Sequence, residues 1–328
     1  MRGIQQYIDL HLHLDGAITP EIARKLAAQE GVRLPEEDDQ LRKMLTVPPE
    51  CESLNDFLQC FALPCSLMQT PRGVREAVRL VADNVMSQGV IYAEIRFAPQ
   101  LLTGRGMSQE EAVLAAVGGL KETKLKANLI LCFMRGSGND SENEETLRLA
   151  KKHLVRDGGV TAVDLAGAEA LYPTAKYREL FADVKREGIP FTIHAGEADG
   201  AESVRLAAEY GAKRIGHGVR CTEDPEVVRM IRDQGITLEL CPTSNRMTRA
   251  VKDMADYPFM DLLKAGIRVT VNTDDMGVEG IDLAHEYRWL EKRFGLTAEQ
   301  EKTVLSNATD AAFTTEEVKA GLRRQLGL

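Results

Sequence analysis

No apolar run in this chain approaches the roughly 20 residues that a membrane-spanning helix needs. Met1 to Gln6 is too short and too polar for a signal peptide. Cys-x-x-Cys pairs are missing: Cys51, Cys60, Cys65, Cys132, Cys221 and Cys241 stand apart, three of them in apolar segments. That usage argues against a cysteine zinc site or a disulfide framework and suits thiols in a reducing compartment. Basic charge is not in excess either. The net charge is -9 with both signs interspersed, whereas phosphate backbones demand a basic face. The expectation is a cytoplasmic protein whose partner is neither nucleic acid nor membrane. No low-complexity tract, linker or long repeat divides the chain.

What the chain does have is a rhythm. Tyr7 to Leu14 reads as a strand, with Asp9, His11, His13 and Asp15 on one face by simple alternation. Thr19 and Pro20 open a helix. Residues 33–70 break the pattern with four prolines and no evident strand, and read as a helical insertion able to cover a site. From residue 70 on, helical stripes alternate with strands at Val90 to Phe97, Asn128 to Met134, Val160 to Leu165, Phe191 to His194, Arg214 to His217, Thr237 to Cys241 and Ile267 to Asn272. After Ile281 the chain reads as helix to its end. A glycine precedes six of the eight strands, where a helix C-cap needs left-handed backbone. The expected architecture is α/β: a (β/α)8 TIM barrel forming one domain over residues 1–328, with a helical lid at 33–70 and C-terminal helices over 281–328. An open doubly wound sheet would carry a glycine-rich loop after its first strand. Here that strand ends in His-Leu-His-Leu-Asp-Gly.

Barrel chemistry sits at the C-terminal ends of strands. Only six histidines occur, and four end strand-like runs. His11 and His13, about 7 Å apart along one strand face, are able to chelate one ion. His194 adds a nitrogen and Asp274 an oxygen, because strand eight of a barrel closes against strand one. A set of imidazoles and one carboxylate without thiolate suits zinc. Asp275 points away from its neighbour, toward water or substrate, unless the pair merely opens a turn. Glu197, across Gly196 from His194, reads as ligand or proton donor. His217, between two glycines, reads as a structural histidine or a proton-handling one.

The motifs His11-Leu-His-Leu-Asp-Gly-Ala17, Asp164-Leu-Ala-Gly167, His194-Ala-Gly-Glu197, Arg214-Ile-Gly-His-Gly218, Cys241-Pro-Thr-Ser-Asn245 and Asn272-Thr-Asp-Asp275 resemble, in order and spacing, those of the adenosine deaminase family. The resemblance implies one zinc ion held by His11, His13, His194 and Asp274. It implies that Glu197 protonates N1 of a purine, that His217 orients or deprotonates the attacking water, and that Asp275 contacts that water and the ring edge. Gly167 N–H would face N3, Asp15 a ribose hydroxyl, and Phe57 and Phe61 would cover the site. The partner so implied is a small purine nucleoside, adenosine or 2′-deoxyadenosine. Met276, Thr248-Arg249-Ala250 and Gln100 depart from the family's usual residues at the pocket mouth, none of them at an implied ligand.

Two other readings differ in substrate or class. Adenine or a modified adenosine such as aminodeoxyfutalosine is the first, and Asp15 speaks for a free ribose hydroxyl instead. A purine-binding barrel without catalysis is the second, and every implied catalytic residue is present. A binuclear centre would call for a bridging lysine or carboxylate where Gly167 stands.

Overall fold

Among the described residues eight short parallel strands build the frame: β1 (Tyr7–His13), β2 (Val90–Phe97), β3 (Lys126–Met134), β4 (Val160–Ala166), β5 (His194–Ala195), β6 (Arg214–His217), β7 (Thr237–Leu240) and β8 (Arg268–Val271). The structure, a computed structural model, describes residues 6–48, 51 and 53–328. The strands pair in sequence order as two four-stranded runs, β1 to β4 and β5 to β8. Isolated parallel bridges join the runs on both sides, Val163 to Phe191 and Leu12 to Asp274. Hydrogen bonds His13 N–H to Asp274 O (2.9 Å) and Asp274 N–H to His11 O (2.8 Å) close the ring. This is the (β/α)8 barrel the alternation predicts.

Strand five differs from expectation. The run Phe191 to Ile193 is extended and buried, yet only His194 and Ala195 keep a regular ladder. Pro190 has no N–H to give and contributes only its carbonyl, to Val163 N–H at 3.0 Å. Gly196, at φ 73°, turns the chain out of the sheet immediately afterwards.

β1 does not alternate simply. Asp9 pairs with Ala93 of β2, and the next pair is Leu12 with Ile95, so Leu10 and His11 together stand opposite Glu94. This two-against-one bulge exchanges the faces of the strand. Before it, Ile8 shares a cluster with Tyr92 and with Ala308, Ala312 and Leu322 of the C-terminal segment, and the cluster also takes Leu10. After it, Leu12 and Leu14 join Tyr7 in the main core under the helical layer. Asp9 therefore does not share a face with His11 and His13; it accepts from Thr273 Oγ1 at 2.6 Å instead. The bulge is what turns both histidines into the barrel.

The helices start and stop where their sequences say. Thr19 caps Pro20–Glu30 by accepting Ile22 N–H, and Ser108 with Glu111 forms a complete capping box. Between Pro20–Glu30 and Pro71–Ser87 lie the helices Asp38–Leu45, Leu54–Phe57 and Ala62–Ser66 and a 3-10 turn, Leu58–Phe61. The helices Leu283–Phe294, Ala298–Ala311 and Glu316–Leu326 complete the chain. Phe313, between the last two, closes the barrel floor: its N–H reaches Glu94 at 2.6 Å and its carbonyl accepts from Asn128 at 3.0 Å. Among the described residues no helix is long and apolar enough to cross a membrane.

Candidate active site

The ends of β1, β5 and β8 bring four groups to one point. His194 Nε2 lies 3.0 Å from His11 Nε2 and 3.1 Å from His13 Nε2. Asp274 Oδ1 lies 3.1 Å from His11 Nε2 and 3.4 Å from His13 Nε2. Three imidazole nitrogens so close cannot all satisfy one another, because each neutral ring has one donor and one acceptor. The distances approach the ~3.3 Å edge of a tetrahedron of ligands about 2.0 Å from a zinc ion. With no thiolate among them, these donors fit a zinc ion. Asp274 adopts φ 63°, a left-handed conformation rare outside glycine, which marks a position held by its surroundings.

The rings are oriented from behind. His11 Nδ1 meets Glu239 Oε2 at 2.7 Å, and His194 Nδ1 lies 2.9 Å from Asp164 Oδ2. Arg96 bridges the two carboxylates at 2.9 Å each, and Arg214 Nε meets Glu239 Oε1 at 2.5 Å. These side chains are buried, and their carboxylates, with Glu94, outnumber the two guanidinium groups. Such a layer costs desolvation and is retained here under the histidines it aims. Burial works against Asp274 as an anion, but His11, His217 and His13 outweigh it and hold the carboxyl well below its usual range.

Glu197 and His217 face this cluster. His217 Nε2 lies 3.6 Å from Glu197 Oε2 and 3.8 Å from Asp274 Oδ2. His217 too is left-handed, at φ 58°. Its Nδ1 lies 3.0 Å from Asn245 Nδ2, and the Tyr257 hydroxyl lies 3.1 Å from Asn245 Oδ1. Burial pushes His217 well below the usual imidazole range. Burial, reinforced by Asp274 and Glu169, raises Glu197 to about 8. At neutral pH the pair is a protonated acid beside a neutral imidazole, which suits it to proton transfer.

Asp275 diverges from Asp274 as adjacency implies. Among the described residues its buried Oδ1 has no hydrogen-bond partner, and burial together with Asp274 and Glu279 raises its carboxyl well above the usual range. A Cβ on Gly16 would fall 1.7 Å from that oxygen, so only glycine fits there. Asp15 stands beyond the end of β1, in a turn, where Cys65 Sγ approaches its Oδ2 at 3.6 Å. Gly167 follows β4 at φ 104°.

One cavity collects these residues. His13, Asp15, Gly167, His194, Glu197, His217, Asp274 and Asp275 line it, with Leu54, Phe57, Leu58 and Phe61 forming an apolar wall. Among the described residues no lysine or arginine lines it. Every site residue expected from the sequence is thus at the cavity except His11, whose ring centroid lies 4.5 Å from that of His194 and 5.4 Å from that of His13. Sequence reasoning missed the supporting groups Glu239, Tyr257 and Glu169, and gave Arg96 and Arg214, each at or in a strand, no partner. For Glu239 a signal existed, a carboxylate inside the apolar run Thr-Leu-Glu-Leu.

Fold and site together define a barrel of the amidohydrolase type, with a buried His/Asp centre built to hold a metal ion. The sequence model described as adenosine deaminase matches residues 7–327. The adenosine deaminase of Haemophilus ducreyi is 46% identical over 98% of this chain and 96% of its own. Among solved structures, an adenine deaminase from Arthrobacter aurescens superposes with a TM-score of 0.88 at 29% identity, covering 98% of this chain and 97% of that one. The N6-methyl-AMP deaminase of Arabidopsis thaliana gives a TM-score of 0.84 at 25% identity, covering 99% of this chain and 96% of that one. The chain belongs to the adenosine deaminase family, hydrolases that act on carbon–nitrogen bonds.

Proposed function

We propose that this enzyme deaminates adenosine and 2′-deoxyadenosine hydrolytically, yielding the inosines and ammonia, with one zinc ion per chain. The observation that carries the reading is the pairing of Glu197 and His217 across 3.6 Å, at the mouth of the histidine–aspartate cluster and under an apolar wall. The relative from Haemophilus ducreyi, at 46% identity, carries the name adenosine deaminase.

His11, His13, His194 and Asp274 would hold the metal. When bound, zinc acidifies water and polarises the reacting centre. Glu197, neutral at pH 7, gives its proton to N1 of the purine, which lets the ring accept an oxygen at C6. His217 orients or deprotonates the attacking water, its ring fixed by Asn245. Asp275 meets the ring edge and water, and its unpartnered Oδ1 supports that assignment. Gly167 N–H serves N3, Asp15 a ribose hydroxyl. Phe57 and Phe61 exclude water as part of a lid over 33–70. Free purine would leave Asp15 without its hydroxyl partner, and a nucleotide would bring a phosphate to a cavity that, among the described residues, no lysine or arginine lines. We read the enzyme as a cytoplasmic one of purine salvage, and the scatter of its six cysteines, none in a Cys-x-x-Cys pair, supports a reducing compartment.

Glu197→Gln tests the acid. It removes the proton donor while keeping shape, and should leave zinc content intact and lower kcat by about 10²–10⁴-fold. Undiminished turnover of adenosine would refute the role.

A further inference from the structure

Glu169 stands two residues beyond Gly167 in the loop after β4, and 1% of it is exposed. Its carboxylate accepts four consecutive backbone N–H groups. Oε1 takes Gly196 at 2.8 Å, and Oε2 takes Glu197 at 3.0 Å, Ala198 at 2.7 Å and Asp199 at 3.0 Å. The Ser203 hydroxyl adds a fifth bond, to Oε1 at 2.5 Å. A carboxylate offers about four lone-pair sites, so this one is saturated. Among the described residues no lysine or arginine forms a salt bridge with it. Oriented N–H dipoles surround the charge instead, as in an anion nest.

The same segment is held from its other end. Arg135, at the end of β3, donates from Nη2 to the His194 carbonyl at 2.6 Å and to Thr174 Oγ1 at 2.9 Å. Thr174 Oγ1 lies 2.7 Å from Ser203 Oγ, which completes a buried chain from Arg135 to Glu169. Between these anchors Gly196 turns at φ 73°, where a Cβ would lie 2.4 Å from Val204 Cγ2. The turn has no slack.

A carboxylate that merely capped the following helix, Ala201–Tyr210, would take the first amides of that helix. Glu169 takes the four amides upstream of it, and the helix's N-cap, Gly200, gives it no side-chain cap. The carboxylate is committed to the stretch that carries Glu197.

We propose that Glu169 is a positioning residue for Glu197: its five hydrogen bonds fix the turn that aims the Glu197 carboxyl into the cavity, and it acts on turnover through that side chain. The inference rests on Glu197 being the acid. It is tested on the full chain loaded with zinc, as Glu169→Gln and Glu169→Leu, each alone and combined with Glu197→Gln. Zinc content, melting temperature, kcat and KM for adenosine are read for each. Misplacing a reacting group by about 1 Å costs about 10²-fold. The Leu variant, without acceptors, should lose about that much kcat per zinc-loaded site, and the Gln variant, with one oxygen kept, about a tenth as much, with KM within about threefold in both.

In the Glu197→Gln background the Glu169 substitutions should add little, because the group they position is already disabled. Losses that multiply in the double variants, or a fall in zinc content and melting temperature with kcat per loaded site unchanged, would overturn the proposal. Should the Leu variant fail to fold, the isosteric Gln variant carries the same comparison. Wild-type protein that leaves adenosine untouched would instead sink the activity on which the inference rests.

Discussion

Asn245 Nδ2 lies 3.0 Å from His217 Nδ1, in a buried contact at the edge of the site. With the Tyr257 hydroxyl donating to Asn245 Oδ1, the amide N–H faces the ring, and the imidazole proton sits on Nε2 toward the cavity. A half-turn of the amide reverses both bonds, since a phenol oxygen also accepts, and frees Nε2 to take a proton. Under the proposed function the relay would supply an orienting and a deprotonating state of His217. Asn245→Ala should lower kcat by about 10²-fold at nearly constant KM. Tyr257→Phe should lower kcat less and destabilise the fold by about 1 kcal/mol, the worth of one buried hydrogen bond. Steady-state kinetics and urea unfolding read the two effects. Wild-type kcat in Asn245→Ala would remove the relay from the mechanism.

The pH profile follows from the same pair. Glu197, raised to about 8, is a proton donor below that pH and an anion above it. His217, pushed well below its usual range, stays neutral throughout. The rate kcat should be level from about pH 6.5 to 7.5 and fall on the alkaline side. A bound dication favours the carboxylate, so it moves the limb to lower pH and not higher. A kcat that climbs steadily through pH 9 would contradict the assignment of Glu197 as the acid.

Metal affinity should depend on groups that never touch the metal. Glu239 Oε2 receives His11 Nδ1 at 2.7 Å and fixes which ring nitrogen faces the site. Glu239→Gln should weaken zinc binding about 10–100-fold, measured by competition with a chelator of known affinity. It also takes from Arg96 and Arg214 the carboxylate they share, while Asp164 and Glu94 still balance their charge, and should cost about 1.5–3 kcal/mol of stability. Unchanged zinc affinity would show that His11 needs no support from behind.

Much of this site was legible in the sequence because its chemistry lies at strand ends. His11, His13, His194, His217 and Asp274 each follow an apolar run, and a barrel gathers such ends onto one rim. What could not be read depends on register or on contacts through space. The bulge that sets Leu10 and His11 against Glu94 leaves no local mark, so alternation put Asp9 on the wrong face. The strand of Phe191 to Ile193 looked regular because its apolar pattern does not reveal the ladder bond that Pro190 forfeits. Glu169 and Tyr257 lie in loops without a motif of their own, and only folding brings them to Glu197 and Asn245.

The most direct test of the account is an ultraviolet assay of adenosine with purified protein, run as isolated, after chelation, and after zinc is restored. The account predicts that the adenosine spectrum converts to that of inosine, that chelation abolishes the conversion, and that one equivalent of zinc per chain restores it. Zinc-loaded protein that leaves adenosine unchanged, or full activity in the metal-stripped protein, would contradict it.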